Sequence, residues 1–191
     1  MGQTEAMKIR FHRPLFAVTL VVGVLTAVPL WAQSIDQLGP LMSSFRAGIF
    51  CAPKVVNTTP APDTVAGVSN VIEDVPPFVS AGRNVPAVLG MGFGILSSSK
   101  QQMLLDVLVV VTHPPMGEDG VTRQSYYTEF TDIGESMTLY QFDYAYELVE
   151  GPWTIAAMQG NELLFRAGFT VVPPAMVPEL AGVCGYEDLL S

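Results

Sequence analysis

From Val85 to Ile95 every second side chain is apolar, in the order Val85, Ala87, Leu89, Met91, Phe93 and Ile95. A period of two marks a strand with one face in a core, because successive strand side chains point to opposite sides. Gly90, Gly92 and Gly94 fall on the other face and leave it almost bare backbone. Such a stripe admits the close approach of another chain or ring, so these three glycines are a candidate interaction surface, or lie under a second layer of the same protein. They do not form a phosphate cradle, which needs a glycine-rich turn opening a helix.

The rest of the chain extends the same pattern. Residues 103–111 are apolar on both faces apart from Asp106, which predicts a central strand buried on two sides and leaves Asp106 in need of a partner or an edge. Residues 121–130 and 136–142 flank the turn-like Asp132-Ile133-Gly134 and are expected to pair as a hairpin. Residues 153–159 and 163–172 flank Gly160-Asn161, a pair suited to the positive φ of a tight turn. Residues 46–51 and 65–72 complete seven or eight strands, and no stretch holds the 3.6-residue period of a crossover helix. The predicted fold is all-β, an antiparallel immunoglobulin-like sandwich over residues 46–172. A closed barrel uses the same local signals and is the alternative. Residues 33–45 read as a linker, and residues 173–191, with Pro173, Pro174 and Pro178, as an irregular tail.

Ahead of this domain lies a segment of different character. Lys8, Arg10 and Arg13 precede an apolar run over residues 15–30, and Trp31-Ala32-Gln33 follows. That order predicts a signal-peptide helix over residues 1–32 with cleavage after Ala32. The run of about 16 residues is shorter than the roughly 20 that a membrane-spanning helix needs, so membrane insertion is not expected after cleavage. The expected location is the periplasm or the exterior.

Charge narrows the partners. The chain carries 9 basic and 18 acidic residues, a net charge of −9. Losing the signal removes three basic residues and one acidic one, which takes the net charge to about −11 and leaves His113 as the one histidine. So acidic a surface repels phosphate backbones and anionic membranes, which excludes nucleic acid as a partner class. The two cysteines, Cys51 and Cys184, are expected to form a disulfide, since an exported chain meets an oxidising compartment.

Candidate chemistry is sparse. His113, in Thr112-His113-Pro114-Pro115, has no cysteine, histidine or paired carboxylate at ligand spacing; it reads as a loop residue or as part of an interaction surface. The pairs Glu73-Asp74 and Glu118-Asp119 lack the alternating acids of a calcium loop and read as solvated turns. Ser97 and Lys100 match the spacing of one serine nucleophile motif without its companions. Tyr126, Tyr127, Tyr140, Tyr144 and Tyr146 cluster within a short stretch, as rings that cover a core or meet a ligand do. No cofactor and no metal is expected.

The segments Gly48-Ile49-Phe50-Cys51-Ala52-Pro53, Val85 to Gly94, His113-Pro114-Pro115, Phe142-Asp143 and Gly151-Pro152-Trp153-Thr154 resemble a family of exported bacterial proteins known only as a domain of unknown function. The resemblance covers roughly residues 46–172 and implies an immunoglobulin-like sandwich without any catalytic residue to carry over. The functional expectation is therefore a non-enzymatic binding or interaction module of the bacterial cell envelope, with another envelope protein as partner. Two other classes stand beside it: a small hydrolase or carbohydrate-active enzyme working through carboxylates such as Asp106, Glu129 or Asp143, and a subunit that exchanges a strand at an open sheet edge.

Overall fold

The computed structural model describes residue 2 and residues 36–184, except 102, 132 and 133. The predicted signal peptide lies outside the described residues. Eleven strands follow one another among those described: β1 (Gln37–Leu38), β2 (Met42–Cys51), β3 (Val55–Pro60), β4 (Val68–Ile72), β5 (Asn84–Pro86), β6 (Met91–Ser99), β7 (Met103–Met116), β8 (Val121–Thr131), β9 (Ser136–Gln141), β10 (Gly151–Gln159) and β11 (Glu162–Val172). Among the described residues, helix is confined to single turns at Ala145–Glu147, Pro174–Met176 and Pro178–Ala181.

The strands form two facing sheets and a ribbon. One sheet runs β1-β11-β10-β7-β8, with the short β5 added parallel to β11; the other runs β2-β6-β9; among the described residues β3 and β4 pair only with each other. The hairpin β7–β8 lies in the first sheet, yet the strands on either side of it in sequence, β6 and β9, are neighbours in the second. The β10–β11 hairpin then returns to the first sheet. This Greek-key passage between sheets is the immunoglobulin-like arrangement, and the fold class predicted from the periodicity holds.

Strand alternation places the core between the sheets. Phe93, from β6, is fully buried and meets Tyr140, Phe142, Trp153 and Phe169 at ring-centroid distances of 4.8 to 5.9 Å. Such aromatic pairs add about 0.5 to 1.5 kcal/mol each beyond the area they bury. Trp153 also donates its indole N–H to Val149 O at 2.9 Å, which satisfies its one polar atom.

Several elements differ from their sequence reading. β7 is not buried on both faces: Leu104, Val107, Val109 and Val111 enter the core, whereas Met103 and Leu105 are about half exposed. A central strand of a single sheet in a two-layer sandwich has only one partner layer, so apolar residues on its outer face meet water. Asp106 sits at a register slip between Leu104 and Val107 with φ of 52°. It is the extra residue of a bulge, a left-handed position that Asp tolerates better than most residues, and this answers its need for a partner. The predicted pairing of 121–130 with 136–142 does not form. β8 instead continues the tight turn through Gly117 and Gly120, both at positive φ, and pairs with β7; β9 crosses to the other sheet. Residues 65–72 do not join the sandwich but supply β4 of the ribbon. The stretch read as a linker contains β1 and the first residues of β2, held there because Arg83 donates to Asp36 Oδ2 at 2.7 Å while Asp36 Oδ1 accepts from Gly168 N–H.

Cys51 and Cys184 are joined by a disulfide, with Cα atoms 5.3 Å apart. It fastens the tail to the end of β2.

Candidate functional site

Each sheet has two edges, and they are treated differently. The β11 edge is covered by β1 and β5, and the outer edge of β2 is bonded to residues 78–80, where Ile49 N–H donates to Ser80 O and Val79 N–H to Ile49 O, both at 2.8 Å. The other two edges, β8 and β9, meet at one groove of about 180 Å³, with β8 bonded there to the loop before β4. β4 and the loop before it form its third wall. That wall is tied down at three points: Ser125 N–H donates to Asp63 O at 3.1 Å, Val65 N–H to Gln124 Oε1 at 2.8 Å, and Asn70 Nδ2 to Asp143 Oδ2 at 2.8 Å.

Beneath the groove runs a directed chain of buried hydrogen bonds. His113 Nδ1 lies 2.8 Å from Pro114 O, which only accepts, so Nδ1 carries the proton and Nε2 is left as an acceptor. Gln124 Nε2 donates to that nitrogen at 3.0 Å and also lies 3.4 Å from the Tyr140 hydroxyl, which donates to Glu147 Oε1 at 2.9 Å. Glu147 Oε2 accepts from the backbone N–H groups of Asp143 and Tyr144 at 2.6 and 2.8 Å. The chain thus links β7 and β8 in one sheet, β9 in the other, and the turn at Ala145–Glu147. Burial lowers the pKa of His113 against the opposing hydrogen bond to Pro114. Burial raises that of Glu147, against the bonds from Tyr144, Tyr140 and Asp143. It also raises that of Tyr140, with the neighbouring Glu147 charge adding to the effect. At neutral pH the histidine and the phenol are both neutral.

Two polar atoms at the groove have no hydrogen-bond partner among the described residues. Thr138 Oγ1 and Gln141 Oε1 are buried without a hydrogen bond, in residues only 2% and 6% exposed that line the groove. Gln141 Nε2 meets Asp143 Oδ1 at 2.7 Å, which assigns the amide and leaves its oxygen free to accept. At the mouth, Tyr144 and Tyr146 stack with centroids 5.3 Å apart and planes 6° from parallel, both exposed.

The residues singled out in the sequence fall in different places. His113 is not a loop residue: it is a buried member of β7, packed 4.7 Å from the Trp153 ring. Its polar atoms are both engaged, which keeps it from being an open ligand. Gly92 and Gly94 are buried, and a Cβ on Gly92 would lie 2.3 Å from the Phe50 ring, one on Gly94 2.4 Å from Thr138 O. The bare face is therefore filled by the protein's own residues, while Gly90 takes a positive φ of 74° at the turn before β6. Asp143 lines the groove; Asp106 and Glu129 do not. Among the described residues no three His, Cys, Asp or Glu side chains come together as a metal site would need. Tyr126, Tyr140 and Tyr144 line the groove, while Tyr127 stands exposed on β8. Sequence reasoning missed Gln124, Thr138, Gln141 and Glu147. Only Glu147 left a trace, as an acid three residues after the start of a short turn.

No curated protein matches this chain. Among solved structures it is similar to an immunoglobulin-like protein from Pseudomonas aeruginosa, at 18% identity over 74% of this chain and 99% of that one, with a TM-score of 0.45. Residues 38–171 match the family described as a domain of unknown function, DUF3859, and the chain belongs to that family.

Proposed function

We propose that this protein is an exported, non-enzymatic interaction module of the cell envelope, and that the groove between β8 and β9 is where it meets its partner. The observation that carries this reading is the opening of the β9 edge onto a groove lined by buried polar atoms that lack a partner among the described residues. An unpartnered buried polar atom costs about 1 to 3 kcal/mol, and a ligand that supplies the missing bond recovers it. An open edge is a template for further chain, which most proteins guard with Lys, Pro or a covering loop. The carboxylates at the groove support binding more than acid and base chemistry. Glu147 uses both oxygens to hold the turn and Tyr140, and Asp143 uses both to hold Gln141 and Asn70.

Export is supported by the Cys51–Cys184 disulfide, since such bonds persist in oxidising compartments. The test has two arms in an exporting bacterial host. Intact mass of the purified protein is expected to start at Gln33 with no alkylatable thiol. A photoreactive residue at Tyr144 is expected to yield one discrete adduct with another envelope protein, and the same residue at the exposed Met176 none. A full-length mass with two free thiols overturns export, and equal labelling from both positions overturns the groove.

A further inference from the structure

We propose that the groove takes an extended, basic peptide segment of the partner, which adds as a strand to the free edge of β9 and places a Lys or Arg side chain against Asp143, Gln141 and the Tyr144 ring. This deepens the reading of the groove as an interaction site and rests on it.

The edge argues for a strand. Among the described residues β9 pairs only with β6, and Phe142 N–H donates to Met91 O just past its end. Antiparallel ladders alternate, so counting back from Phe142 turns the N–H and C=O groups of Met137, Leu139 and Gln141 away from β6. Ser136 to Gln141 contains neither Lys nor Pro, the usual guards of an open edge. An added strand pairs with these groups and brings donors past Thr138 Oγ1 and Gln141 Oε1.

The lining argues for a cation. It contains two carboxylates, Asp143 and Glu147, and no Lys, Arg or His. Glu147 is buried, which leaves Asp143 as the exposed charge, each of its oxygens accepting one bond from Gln141 or Asn70. Gln141 Oε1, buried and without a bond, accepts only, so whatever reaches it must donate. Tyr144 is about half exposed, and a tyrosine ring face attracts an ammonium or guanidinium. A carboxylate, an orphan amide oxygen and an aromatic face converge on one class of group, and the whole chain's charge of −9 steers basic segments toward it. Sugar recognition also uses such rings, but it does not use a free strand edge.

The test is a random nonapeptide display library selected against the chain purified from an exporting host, with the enriched peptides titrated into isotope-labelled protein and followed by amide chemical shifts. The expected pool carries Lys or Arg at one fixed place, and its peptides shift the amides of residues 137–141. Asp143→Asn is expected to weaken them about tenfold, the scale of losing one charged partner at an interface. Tyr144→Ala, on an exposed ring, serves as the second variant should Asp143→Asn fail to fold, and is expected to weaken the same peptides. Any of the following overturns the proposal: a pool without basic enrichment, no enrichment at all, shifts that map away from β9, affinity untouched by both variants, or saturable binding of an oligosaccharide in place of peptide. If the adduct at Tyr144 forms in cells while basic peptides fail here, the interaction reading stands and the basic-strand proposal alone falls.

Discussion

Gln124 and His113 face each other across the β7–β8 hairpin with Gln124 Nε2 3.0 Å from His113 Nε2, and the contact works only while the imidazole is neutral. Protonation would set an N–H of the ring against an N–H of the amide, because Nδ1 already donates to Pro114 O. A charged His113 therefore loses its bond inside the core as well as its water. The chain that starts here ends on Glu147, a carboxylate that accepts from the Tyr140 hydroxyl and from two backbone N–H groups.

The pH dependence of stability follows from these two ends, with opposite signs. The unfolded chain takes up a proton at His113 near 6.5, and the folded chain only at a lower pH. Unfolding is thus favoured as pH falls through 6.5, and the effect levels off once the folded ring is also protonated. His113→Gln is expected to remove that slope while costing about 1 to 3 kcal/mol at neutral pH through lost bonding and packing. Urea unfolding of both proteins at pH 7.5 and 5.5 checks it; equal slopes would rule out a buried neutral imidazole.

Glu147 acts in the other direction. Its folded pKa lies above 4.5, so its contribution is fully present below 4.5 and declines as pH rises through the folded value. Glu147→Gln is expected to be destabilised most at low pH, with the gap to wild type narrowing as pH rises. Melting temperatures from pH 4.5 to 8 measure this, and a gap that widens with pH would contradict it.

The glycine row makes a packing prediction. Gly92→Ala drives a methyl into the Phe50 ring, which is itself fully buried, and is expected to cost about 1 to 3 kcal/mol. The double variant Gly92→Ala with Phe50→Leu should recover part of what the two single changes lose together. Strict additivity in a double-mutant cycle would show that the two residues do not touch.

Removing the disulfide should act at a distance. Cys51→Ser with Cys184→Ser is expected to lower stability by about 2 to 5 kcal/mol and to expose the chain after Val172 to proteases. Limited proteolysis with and without reductant, read by mass, separates the two forms; an equally protected tail would mean that packing of Val177 and Leu180 holds it unaided.

Fold class was legible because it depends on local rules. The period of two expected of one strand from Val85 to Ile95 survives only from Met91 onward as β6, because Val85 joins β5 in the other sheet and Gly90, at positive φ, turns the chain between them; the Gly160-Asn161 turn survives as the β10–β11 hairpin, since it is set by which φ a turn needs. Local pattern does not choose partners. Residues 121–130 and 136–142 carried the marks of two strands beside a turn, yet each found its mate elsewhere, because pairing is decided by sheet burial over the whole chain.

The amino-acid sequence by itself determined a β-sandwich, its acidic surface and the two cysteines that could meet. Only the tertiary structure decided that the edges of β8 and β9 would meet at one groove, that His113 would be buried, and that Gln124, Tyr140 and Glu147 would join it in one chain. The physical reason is that a buried polar network has no period: its members lie on separate strands, and nothing in the spacing of a lone glutamine or glutamate records which side chain it will face. Cross-strand register and the crossing between sheets bring them together, and those are properties of the folded whole.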